Sequence, residues 1–125
     1  MRIVFAVLSL VALTFSLAFA EIDPHAYPSE FEFDVYEYYT ATLDVLVNLG
    51  ERNAQEQVII MATEKFKIST KDLEAIQDKF SALESALLER DPGYEKGKLI
   101  TYRWKKIKEL IDEIGWQEIL QAVGQ

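Results

Sequence analysis

A single histidine, His25, stands in a 125-residue chain that has no cysteine. It lies between Pro24 and Pro28, in a segment that the prolines keep out of a helix. A nucleophile–base pair needs a base held by a third group, and a proline-flanked arm is expected to hold nothing. Beyond the first twenty residues the serines are Ser29, Ser69, Ser81 and Ser85. Ser29 and Ser69 stand where helix N-caps are expected, and none lies in a Gly-x-Ser-x-Gly elbow. Without cysteine there are no thiolate zinc sites, iron–sulfur clusters or catalytic thiols.

Two further patterns hold groups that do chemistry elsewhere. Glu30, Glu32 and Asp34 alternate as carboxylates, but they lack the turn glycine and closing glutamate of a calcium loop. Gly93-Tyr-Glu-Lys-Gly97-Lys98 places three residues between its glycines where a phosphate loop has four. Leu99 follows where that loop needs Ser or Thr, so the segment reads as a turn. The sequence therefore predicts a protein that is not an enzyme, with no catalytic residue, cofactor or metal site.

What remains are surfaces. Phe33, Tyr36, Tyr38 and Tyr39 crowd a short stretch with Phe31, Asp34 and Glu37, and helical geometry does not bury them all together. Exposed tyrosine is an effective contact residue, so Phe33, Tyr36, Tyr38 and Tyr39 are the expected partner-binding face. Lys98, Arg103, Lys105, Lys106 and Lys108 form a basic patch around Trp104, on a helix suited to packing on a bundle or lying on an anionic membrane.

Charge narrows the partners. The chain carries −8, which argues against nucleic acid. Residues 21–49 hold seven acids and no Lys or Arg, while residues 96–108 hold six bases and no acid. Either the two segments pack together and neutralise, or one of them faces a charged partner.

The elements that must position these groups begin with a leader. Met1-Arg2 precedes an apolar run from Ile3 to Leu17, and Ala18-Phe19-Ala20 supplies the small-x-small pattern of a cleavage site. Residues 1–20 are read as a signal peptide, residues 21–29 as an extended arm, and residues 30–125 as a helical bundle domain. The mature chain is expected to be secreted and extracellular.

Ser29 and Glu32 form a capping box, opening a helix that runs to Asn48 and stops at Gly50. Its predicted inward stripe is Phe31, Val35, Tyr38/Tyr39, Thr42, Leu46 and Leu49. Asn53 with Glu56 suggests a second box, before a helix that fades near Lys67. Ser69 with Asp72 opens the third helix, whose stripe is Leu73, Ile76, Phe80, Leu83 and Leu87. A fourth helix starts between Gly97 and Leu99, with the stripe Ile100, Trp104, Ile107, Ile111 and Ile114. Gly115 breaks its phase, and Trp116, Ile119, Leu120 and Val123 make a short final helix. The fold class is all-α: a small antiparallel bundle of about four amphipathic helices, with its core around Leu46, Phe66, Ile76, Phe80, Leu83, Trp104 and Ile107.

This layout, with Leu110-Ile-Asp-Glu-Ile-Gly115 near its end, is similar to that of the insect Turandot humoral stress factors. It departs from them at Asp91-Pro92-Gly93-Tyr94, where their glycine-rich stretch should fall. The resemblance implies a secreted stress or immune factor. From the residues themselves, the expected function is a secreted, non-enzymatic interaction protein acting on a protein partner or on itself. The alternatives are a carrier of small hydrophobic ligands and a humoral factor that binds anionic membranes through its basic helix.

Overall fold

In a computed structural model the described residues are 22–95, 99 and 104–122. They contain five packed helices and no strand: α1 Glu30–Asn48, α2 Ala54–Phe66, α3 Thr70–Arg90, α4 Trp104–Ile114 and α5 Trp116–Ala122. The expected leader, the start of the fourth helix around Gly97–Lys98, and Ile100, Arg103 and Val123 lie outside the described residues.

Local chemistry sets most helix ends. The Glu32 N–H donates to Ser29 Oγ at 3.1 Å and the Ser29 N–H donates to Glu32 Oε1 at 2.9 Å, closing the predicted capping box. α1 ends before Gly50, whose φ of +79° is a conformation that a Cβ disfavours. Ser69 caps α3 by accepting the Asp72 N–H at 3.0 Å. Asn53 differs from expectation. It precedes α2, but its side chain makes no cap hydrogen bond. Its backbone (φ −107°, ψ 42°) is not in the extended region from which a cap side chain reaches the first turn. At the end of α2, Lys67 takes a left-handed φ of 54° without being glycine. Gly115, at φ +94°, separates α4 from α5 where the stripe changes phase.

α3 supplies the centre of the core. Leu73, Ile76, Phe80, Leu83 and Leu87 are all buried, as their spacing predicts. Ile107, Ile111 and Ile114 of α4 join the same cluster, with Trp116 and Ile119 of α5 and the isolated Leu99. Of the predicted centre, Ile76, Phe80, Leu83 and Ile107 are fully buried, while Leu46, Phe66 and Trp104 are half-buried at its edge.

α1 is rotated from its predicted stripe. It buries Glu32, Phe33, Val35, Tyr36 and Tyr39, and leaves Phe31 and Leu49 exposed. The cause is its two neighbours. Tyr36 stacks on Phe80 of α3, with ring centroids 4.9 Å apart, while Phe31 and Tyr38 meet Phe66 of α2 edge-on at 5.9 and 5.6 Å. α1 and α3 run in the same direction, since Glu32 meets Lys79 and Tyr36 meets Glu84. α3 ends six residues after Glu84, whereas α1 continues for twelve after Tyr36. About 9 Å of α1, at 1.5 Å per residue, therefore passes the end of α3.

The arm is neither fully extended nor loose. Asp23 and Pro24 open a turn, closed by the Ala26 N–H on the Asp23 carbonyl at 3.2 Å. Three contacts then pin it. The Ile22 N–H donates to Asp72 Oδ1 at 3.1 Å, Trp116 Nε1–H to the His25 carbonyl at 2.8 Å, and Tyr27 Oη–H to Asp112 Oδ1 at 2.8 Å.

Candidate functional site

The expected tyrosine contact face is largely internal. Phe33, Tyr36 and Tyr39 are 2–6 % exposed, and Tyr38 is half-buried. α3 offers the Phe33 and Tyr36 rings apolar cover at Phe80, and it offers the Tyr36 hydroxyl a polar partner as well. The Tyr36 hydroxyl donates to Glu84 Oε2 at 3.0 Å, and the Tyr94 hydroxyl donates to Glu84 Oε1 at 3.3 Å. Burial, then the Glu84 charge and hydrogen bond, holds the Tyr36 phenol far above its ordinary range. One step away, Lys79 Nζ meets Glu32 Oε1 at 2.9 Å, with the lysine side chain wholly out of solvent.

Among the described residues every buried side-chain nitrogen and oxygen has a partner. A fully satisfied polar network of this kind fixes helix register. It offers no exposed nucleophile and no open coordination position. Among the described residues no group of His, Cys, Asp and Glu could hold a metal ion. Glu32, one of the three alternating carboxylates, is committed to Lys79 and to the cap. His25 is exposed, and it contributes its backbone carbonyl to Trp116.

Lys79 and Glu84 were missed as core residues, although a signal was present. Ile76, Lys79 and Leu83 are spaced three and four apart, as are Glu84 and Leu87 with Phe80. A charge standing in step with an apolar stripe marks a buried ion or hydrogen-bonded pair.

The basic patch is mixed in sign. Lys105, Lys106 and Lys108 are exposed on α4, and so are Glu109, Asp112 and Glu113 of the same helix. Lys106 Nζ lies 4.0 Å from Glu109, and Lys108 Nζ sits 6.0 Å from the Trp104 ring. Lys98 and Arg103 lie outside the described residues. The apolar stripe of α4 is buried in the core, so its described part has no free apolar face to set into a bilayer. No helix among the described residues is long and apolar enough to cross a membrane.

Two other surfaces stand out. A cleft of about 260 Å³ opens between the end of α3, the turn after it and α4, lined by Leu87, Arg90, Asp91, Tyr94, Leu110, Glu113 and Ile114. Large apolar side chains are also exposed along the end of α1 and on α2: Val45 55 %, Val47 58 %, Leu49 71 %, Ile60 57 % and Met61 40 %. Val45 and Val47 belong to the part of α1 that α3 is too short to cover, and Leu49 follows it directly. The chain matches no protein-family model, no curated protein and no solved structure.

Proposed function

We propose that this chain is a secreted, non-enzymatic helical protein that acts in an extracellular fluid through protein–protein contacts, with a protein partner or a second copy of itself. In this proposal residues 1–20 are removed on export, and the rest works as a small antiparallel helical bundle. The contact surface is the overhanging end of α1 with α2, in place of the inward-turned tyrosines.

One observation carries the proposal: the exposure of Val45, Val47, Leu49, Ile60 and Met61. Large apolar side chains left in water at the end of α1 and on α2 favour a covering partner. Their serine variants should be nearly silent for folding, since surface changes usually fall within about 0.5 kcal/mol.

A photo-crosslinking residue at position 47 tests it. In the medium of expressing cells the mature chain should give a discrete adduct, either a dimer or a heteromeric species. Val45→Ser with Leu49→Ser should abolish that adduct, while Lys71→Ser should leave it. A chain that stays monomeric and adduct-free, or an adduct indifferent to the double variant, removes the proposal. Recovery of the chain in the cytosol with its leader attached removes the extracellular part.

A further inference from the structure

We propose that the cleft between α3 and α4 binds a small organic cation of the arylalkylammonium class. This site is separate from the contact surface at the end of α1. Leu87, Leu110 and Ile114 make an apolar floor. Tyr94 makes a wall, and its hydroxyl bond to buried Glu84 at 3.3 Å keeps the ring from swinging away. Arg90 Nη2 and Glu113 Oε1 face each other at the mouth, 3.4 Å apart and both open to water. Asp91 completes the lining, with Oδ1 accepting the Gly93 N–H at 3.0 Å.

The lining therefore offers two carboxylates and one guanidinium, and Glu113 already engages the guanidinium. An incoming ammonium gains Asp91 and shares Glu113 with Arg90, so the lining keeps one carboxylate in excess, in a chain whose net charge is −8. An incoming carboxylate must compete with Glu113 for Arg90 and meets Asp91 as a like charge. Tyr94 adds an aromatic side chain to the lining, and the floor takes an aromatic body. At about 260 Å³ the cleft lies near the lower end of the range for small-molecule sites, about 300–1,000 Å³. That suits a phenylethyl or indolylethyl group and is too small for a long acyl chain. Because the charged pair lies in water, its contribution is screened, and the expected dissociation constant is about 0.05–1 mM.

Titration of the ¹⁵N-labelled mature chain with 2-phenylethylammonium, 2-phenylethanol and 3-phenylpropionate tests the site. The amine should shift the amides of Leu87, Tyr94, Leu110 and Glu113 and saturate them, with the alcohol and the acid at least about tenfold weaker. Glu113→Gln should weaken the amine about three- to tenfold, and 1 M salt should do the same by shortening the Debye length to about 3 Å. Leu110→Trp should fill the cleft and abolish the shifts while the circular dichroism spectrum is kept. If Leu110→Trp unfolds the chain, the Glu113→Gln arm decides alone. The inference is overturned by an acid that binds as well as the amine, by shifts that map elsewhere, by binding indifferent to Glu113→Gln, or by no saturation up to ~10 mM.

Discussion

The two halves of α1 show how much a neighbour decides. The first ten residues bury Glu32, Phe33, Val35, Tyr36 and Tyr39, and the last nine bury none. The later half is no less apolar in kind, with Leu43, Val45, Leu46 and Val47. What changes is that α3 stands beside the first half and ends within the first turn of the second, short of the last six residues. The first half is thus wholly a folding element, whereas the second rests Leu43 and Leu46 on the core's edge and leaves Val45 and Val47 as surface. Charge divides the same way. Glu32 is enclosed with Lys79, whereas Asp44 lies in water and is reached by Asn48 Nδ2 at 3.5 Å.

This contrast is breakable, and the largest effect belongs to the buried pair. Lys79→Ala should lower the unfolding free energy by about 3–5 kcal/mol in urea denaturation, since it leaves Glu32 as an uncompensated buried charge. Lys79→Met combined with Glu32→Leu should recover much of that loss, because both charges go. Equal losses in the single and double variants would show that the pair's geometry, and not the orphaned carboxylate, carries the cost. Tyr36→Phe comes next, at about 1–3 kcal/mol, because Glu84 loses a buried hydroxyl donor.

Alkaline pH separates a deep tyrosine from a shallow one. Burial, then the hydrogen bond to Asp112 and its charge, pushes the Tyr27 phenol up to about 12 from an ordinary value of 10.0. An acid whose folded pKa is raised stabilises the fold fully below its unfolded pKa and loses that stabilisation above it. Stability should therefore fall as pH rises from about 10 toward 12. Tyr27→Phe should make that fall shallower in a circular-dichroism titration, by a modest amount because Tyr27 is 43 % exposed. Tyr36 should stay un-ionised at higher pH than Tyr27 in tyrosinate absorbance. The smallest effect is at the other end of α1. Val47→Ser should change stability by no more than about 0.5 kcal/mol, and a larger loss in urea would mean that the overhang is part of the core.

Helix positions were legible because their signals are local. The box of Ser29 and Glu32, the Ser69 cap, the α3 stripe and the break at Gly115 each depend on residues within a turn or two of one another. The Asn53 box failed because a cap needs the right backbone angles as well as the right side chain. Lys67 could not be read, since nothing local asks a lysine to turn left-handed. The tyrosine face was misread because α1 carries aromatics on too many sides for periodicity to choose among them. α3 made the choice, supplying Phe80 for the Tyr36 ring to stack on and Glu84 to accept its hydroxyl. The cleft had no sequence signal, since Leu87, Tyr94 and Leu110 come together only in space.

Sequence alone determined that the described chain is helical, where most of its helices start and stop, and which side of α3 is buried, because caps and apolar periodicity act over a few residues. Tertiary structure decided which aromatics of α1 turn inward, that Lys79 and Glu32 meet inside, and that the end of α1 stands uncovered. Those outcomes depend on the relative lengths and rotation of helices distant in the chain, which no local pattern encodes.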